Sequence, residues 1–172
     1  MLTDEVKIEL SKFAKAVIKS SRSNLTRKGK NASKELYNSL DFDLNVTKNS
    51  FSLAFLMEAY GKFQDVGVSG KKKKYNTPFS YKSKMPPAKA FDKWTIKKGL
   101  APRDKDGKFI SRKSLNFLIA RSVYNNGIKP SLFFTKPFEA AFKRLPEDLI
   151  EKFGLDLEDF LTFTTNNLPN GN

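Results

Sequence analysis

Two short runs in strict alternation constrain this fold more than any other feature of the chain. Phe42, Leu44 and Val46 alternate with Asp43, Asn45 and Thr47, and after Lys48-Asn49-Ser50 the phase resumes with Phe51, Leu53 and Phe55. A period of two sends every second side chain to the same face, so the pattern predicts two strands joined by a short turn. Such a hairpin has one apolar face that must be covered. The nearest cover lies upstream. Val6, Leu10, Phe13, Ala14 and Val17 recur at helical spacing, Lys7, Lys12, Lys15 and Lys19 fall largely off that stripe, and Thr3 is placed to cap it. Between helix and hairpin, residues 33–40 present Leu36, Tyr37 and Leu40 as a second helical segment, or as the end of the first helix after a bend at Gly29.

What the chain lacks narrows its chemistry. Its 172 residues include no cysteine and no histidine, which removes disulfides, thiolate nucleophiles, His-based acid–base catalysis and almost every zinc site. There is no glycine-rich phosphate loop and no GxSxG elbow. Asp92, Asp104 and Asp106 stand among lysines without an EF-hand pattern. One enzymatic reading is left, a metal-dependent nuclease built from Glu58, Asp65 and nearby lysines, because phosphodiester cleavage needs only acids and a cation. The expectation is nevertheless no catalysis, no metal and no cofactor. The amino terminus, MLTDEVKIELSKF, has acids where a signal peptide needs positive charge, and no apolar run approaches the roughly 18 residues of a membrane span. A protein made and kept in the cytoplasm is expected.

The formal charge of +14 is unevenly spread. Residues 71–130 hold seventeen cations against three acids, whereas residues 41–70 and 131–172 are both net negative. A block of this kind attracts phosphate or an acidic protein surface without base-specific contacts. Its sharpest feature is the run Lys71, Lys72, Lys73 and Lys74, a candidate contact for DNA or an acidic partner. The stretch from 69 to 86 has little periodicity, and it reads as an exposed arm or long hairpin. Tyr75, Phe79 and Tyr81 lie within it. Rings interleaved with lysines suit stacking on single-stranded bases, or docking on a neighbouring subunit with rings buried and lysines on the rim. Docking is favoured, because no KH loop or RNP motif accompanies the arm.

The rest of the chain reads as helices. Pro86-Pro87 before and Gly99 after punctuate a short helix in which Phe91 and Trp94 share a face, and the only tryptophan is expected in the core. Residues 103–108, ending in Asp106-Gly107, read as a turn. Ser111 caps a helix with Leu115, Leu118, Ile119, Ser122 and Val123 on one face, widened by Phe117, Ala120 and Tyr124, up to Asn126-Gly127. A stripe that broad calls for cover on two sides, the core and a second subunit. A further helix is expected near residues 135–145. An acidic tail helix starts at Pro146-Glu147-Asp148, with Leu149, Ile150, Phe153, Leu157, Phe160 and Leu161 as its apolar positions. Its charge complements the basic middle, within the chain or on an adjacent copy.

Three elements, in this order, resemble the tail-completion and neck (head-tail connector) ring proteins of tailed bacteriophages. In NASKELYNSL, residues 31–40, Ser33, Leu36 and Ser39 match a TGxLxxSI-like helix end loosely, without its usual glycine before the leucine. In LMEAYGKFQDVGVSG, residues 56–70, Tyr60, Phe63, Asp65 and Gly67 match a YAxYxExG-like line. Residues 130–138, PSLFFTKPF, resemble a PxPFLxPAF segment that leads into the last core helix. A long lysine-rich insertion separates the second and third elements. The resemblance covers residues 1–145 and leaves 146–172 as an acidic helix and tail.

It implies an α+β fold with a small, mainly antiparallel sheet on a long N-terminal helix and further C-terminal helices. It also implies a structural virion protein, made in the host cytoplasm. The chain would be one subunit of a closed ring of six or twelve copies, joining portal or adaptor proteins to the tail around the passing genomic DNA. On that view Phe133 and Phe134 join Tyr75, Phe79 and Tyr81 as candidate subunit contacts. A basic nucleic-acid-binding module is the alternative, and the cryptic nuclease a third.

Overall fold

The computed structural model describes residues 3–166. In chain order its elements are α1 (Thr3–Arg27), α2 (Glu35–Ser39), β1 (Asp41–Val46), β2 (Phe51–Leu56), α3 (Gly61–Val66), a 3-10 turn (Ala88–Phe91), α4 (Asp92–Lys97), α5 (Arg112–Asn126), α6 (Thr135–Phe142), α7 (Glu147–Phe153) and α8 (Leu157–Asn166). The fold is α+β, with the long α1 against a two-stranded antiparallel sheet and helices at the C-terminal end. The chain forms two compact units. One combines both ends, Met1–Gly61 and Leu132–Asn172, and the other is the intervening Lys62–Ser131.

The discontinuous unit is organised by the hairpin as its alternation requires. Phe42 pairs with Phe55, Leu44 with Leu53 and Val46 with Phe51, so all six apolar side chains fall on one face. Leu53 and Phe55 are fully buried. The α1 stripe runs further than the five positions read from sequence, continuing through Ile18, Ser21 and Leu25, all buried. Between these layers lies a cluster of phenylalanines. Phe13 meets Phe138 edge-on at 5.1 Å and stacks with Phe160 at 5.6 Å, while Phe55 meets Phe134 at 5.0 Å. Aromatic pairs in this geometry add about 0.5–1.5 kcal/mol beyond the area they bury.

Two expectations change here. The acidic tail is no separate appendage, because Leu149 of α7 and Phe160 of α8 are buried in this same core. The tail is also two helices rather than one, broken at Gly154, whose φ of 57° is left-handed. The last six residues of the expected tail, 167–172, lie outside the described residues.

The inserted unit is held together differently. Its buried apolar side chains are Val68 and Ala120, whereas Asp65, Ser69, Thr95, Asn116 and Ser131 are buried polar ones. Thr95 on α4 donates to Asn116 Oδ1 on α5 at 3.1 Å, and Asn116 Nδ2 donates to Asp92 Oδ1 at 3.1 Å. Ser111 caps α5 as its sequence predicts, accepting from Ser114 N. Close backbone approach supplies the rest. Val68 and Ile128 exchange both hydrogen bonds of an antiparallel bridge. A Cβ on Gly70 would overlap Asn125 O, and one on Gly127, at φ 71°, would overlap Val68 O.

Candidate functional site

The lysine run is anchored at its base and open at its tips. Lys71 N donates to Tyr124 O and Lys72 N to Asn125 O, at 2.9 and 2.8 Å, which fixes the backbone against the end of α5. The side chains of Lys71, Lys72, Lys73 and Lys74 are all exposed. Lys74 Nζ folds back to donate to Gly70 O at 2.9 Å, and Lys73 Nζ lies 5.7 Å above the Tyr75 ring. These four residues therefore form a raised cationic edge with an ordered base.

The residues that follow do not form a free arm. Ser69 grips them, its hydroxyl accepting from Tyr75 N at 2.9 Å while its backbone takes Phe79 O and Tyr81 N as partners at 2.8 and 2.9 Å. Thr77 Oγ1 donates to Gly67 O at 3.0 Å. The three rings are half-buried within their own unit. Phe79 packs edge-on to Phe63 at 4.7 Å, and Tyr81 lies 6.2 Å from Tyr124, whose hydroxyl donates to Lys82 O. Burial pushes the Tyr81 phenol above its ordinary value. Lack of periodicity suggested an arm because this segment is held by hydrogen bonds from small side chains, which leave no hydrophobic period.

Two other expected contacts move inward. Phe133 and Phe134 are 0% and 2% exposed, so they have almost no surface to offer another subunit. Leu132 takes a left-handed φ of 50° just before them, turning the chain into the phenylalanine cluster. Tyr60, the first residue of the YAxYxExG-like line, is partly exposed beside Glu35 and Glu58. Its phenol is also held above its ordinary value, first by burial and then by the Glu35 charge.

Trp94 overturns its expected place in the core. It is 42% exposed on α4, and the neighbouring Thr95 is the residue that turns inward. The reason is the polar interior of the inserted unit, where the helix-to-helix contact is made by a hydroxyl and an amide rather than by rings. Phe117 and Leu118 on α5 are likewise about half exposed. The expected turn at 103–108 is the tip of a small hairpin with Arg103 bridged to Phe109. Asp104 Oδ1 accepts from the backbone of both Asp106 and Lys108 at 2.9 Å, and Arg103 Nη1 donates to Gly107 O at 2.6 Å. Across the strands the Arg103 guanidinium sits 3.8 Å over the Phe109 ring, which is 63% exposed.

Two of the carboxylates are engaged in local hydrogen bonds. Asp104 closes the turn and Asp92 accepts from Asn116. Glu58 is exposed in the discontinuous unit, and Asp65 is buried in the inserted one. Among the described residues no three acids gather as a metal site, and no helix is long and apolar enough to cross a membrane.

One more cationic place lies on the discontinuous unit. A groove of about 680 Å³ runs along α1, lined by Lys15, Lys19, Arg22 and Arg27 with Tyr37 and Asp41. Arg22 is fixed there by donation to Tyr37 O and Leu40 O at 3.1 and 2.8 Å.

No family model, curated protein or solved structure matches this chain.

Proposed function

We propose that the chain is a structural virion protein, one subunit of an oligomeric ring in the neck or tail of a tailed bacteriophage. The ring would join portal or adaptor proteins to the tail and surround the DNA conduit. One observation carries this reading. The three segments that resemble tail-completion and neck proteins fall at successive structural positions: α2 before the hairpin, the Tyr60-to-Gly67 stretch at the departure into the inserted unit, and residues 130–138 at the return into the core. The lysine-rich insertion that sets this chain apart from the family pattern lies within the compact unit Lys62–Ser131, which also takes in Phe63, Asp65 and Gly67 of the second segment. Negative-stain imaging and mass in solution test the reading. Closed rings are the expected result, and a monomer at every concentration that is also absent from virions would refute it.

A second reading is favoured by a different observation. The inserted unit holds eighteen lysines and arginines against four acids, whereas the discontinuous unit holds fourteen of each. The whole net charge therefore resides on Lys62–Ser131, which supports a nucleic-acid-binding module. Salt-dependent DNA binding by the purified chain, without ring formation, would select this reading over the first.

A further inference from the structure

Six of the nine large apolar side chains that stand exposed among the described residues belong to the inserted unit: Trp94, Ile96, Leu100, Phe109, Phe117 and Leu118. Scattered exposed apolar residues are normal on protein surfaces. These are unusual because the same unit keeps polar side chains buried and a strongly cationic exterior, so Trp94, Phe109 and Phe117 are displayed while Thr95 and Asn116 are inside. Around Trp94 the neighbours in sequence are Lys93, Lys97 and Lys98, all exposed. In the hairpin that carries Phe109, Asp104 accepts from the turn backbone, and Lys105, Asp106 and Lys108 are exposed.

Phe109 is also held in place. The guanidinium of Arg103 covers one of its faces at 3.8 Å and is itself tied to Gly107 O. A ring fixed in this way gives up little conformational freedom when a flat partner comes to it. Lysines that track a phosphate backbone, interleaved with rings that take successive bases, are the two components of sequence-tolerant single-strand binding. Duplex DNA hides its base faces and would engage the lysines alone. A membrane surface would instead require a continuous apolar face on an amphipathic helix, whereas α4 has only six residues and its Trp94 and Ile96 are flanked by Lys93 and Lys97.

We propose that the inserted unit binds single-stranded nucleic acid without sequence preference, its lysines along the phosphates and its exposed Phe109 and Trp94 against the bases. The inference rests on the second reading above and deepens it by naming the form of nucleic acid and the residues that meet it. It does not depend on whether the chain assembles into rings.

Trp94 is the only tryptophan in the chain, so its emission reports the site directly. The full-length protein would be titrated with a twenty-nucleotide oligo-dT, with a twenty-base-pair duplex, and with vesicles of phosphatidylserine and phosphatidylcholine. Quenching by the oligo-dT is expected, with affinity falling as salt rises. Phe109→Ser is expected to weaken oligo-dT binding about five- to hundredfold, the range for removing one base stack, with little effect on the duplex. Far-UV circular dichroism confirms that this exposed position leaves the fold intact. Equal binding of both DNA forms, untouched by Phe109→Ser, would overturn the inference while leaving the second reading in place. Absence of binding to either would overturn both, and a blue shift with vesicles but not with oligo-dT would reassign the surface to membranes.

Discussion

The two units of this chain solve the problem of staying folded in opposite ways. The discontinuous unit is electrically neutral and encloses a phenylalanine cluster, with Phe55, Phe133 and Phe138 fully buried. The inserted unit carries all the net charge and closes around Thr95, Asn116 and two glycines on which no side chain fits. Burial of apolar area is the main favourable term in folding, and that term is larger in the first unit, where all but two of the buried hydrophobic side chains among the described residues lie. The second has weaker means, and three of its rings, Trp94, Phe109 and Phe117, stay exposed with its lysines. The rings that this unit does not bury are available for a partner.

The largest expected effect breaks the first half of that contrast. Phe138→Ala should destabilise the protein by about 3–5 kcal/mol, the usual result of removing a buried phenylalanine, measured by urea unfolding followed with far-UV circular dichroism. Phe109→Ala, the same change on an exposed ring, should stay within about 0.5 kcal/mol. A Phe134→Asp variant, which a subunit-contact role would make informative about assembly, instead places a charge in the core and will report on folding.

Next in size is Gly127→Ala. The positive φ alone costs about 1–3 kcal/mol for a residue with a Cβ, and the overlap with Val68 O adds to it. The destabilisation should be seen in Trp94 emission, which belongs to the inserted unit, before it is complete in the far-UV helical signal, to which the discontinuous unit contributes the greater part through α1, α2, α6, α7 and α8. Coincident decay of both signals would show that the units unfold together and would weaken the contrast.

Replacing Lys71, Lys72, Lys73 and Lys74 with glutamine sharpens the second half. Stability should change by less than about 0.5 kcal/mol, since these heads are exposed. The salt dependence of oligo-dT binding should flatten by up to about 0.7 for each phosphate that is no longer neutralised. An unchanged salt slope would place the phosphate-binding cations elsewhere.

The smallest effect lies in alkali. Because the folded Tyr81 phenol is raised above its ordinary value of 10.0, the folded state retains a proton that the unfolded chain gives up. That stability is complete below about pH 10 and is lost as pH rises through the folded value. Tyr81→Phe should remove this part of the alkaline decline, as read from unfolding midpoints between neutral and high pH.

Much of the discontinuous unit was legible because its elements announce themselves by period. Alternation gave the hairpin its correct phase, and the α1 stripe gave its buried face. The inserted unit was legible in its helices but not in its interior. Ser111 and Gly127 mark the ends of α5, yet nothing periodic says that Thr95 and Asn116 would be inside and Trp94 outside. Hydrogen-bond pairing of residues 21 apart depends on tertiary geometry. The one available signal was the flanking of Trp94 by Lys93 and Lys97, which makes burial of that helix face costly. Phe109 was hidden for a similar reason, since its partner Arg103 lies across a turn and shares no period with it. The Ser69 clamp escaped notice because serine hydroxyls that organise a loop leave no compositional trace.

The central claim is that nucleic-acid contact belongs to the inserted unit, although a cationic groove exists on α1. Ultraviolet cross-linking of the full-length chain to oligo-dT, followed by peptide mapping, tests this most directly. Cross-links confined to Lys62–Ser131, concentrated at Trp94 and Phe109, are the predicted result. Cross-links concentrated on the α1 peptides that carry Lys15, Lys19, Arg22 and Arg27 would contradict it.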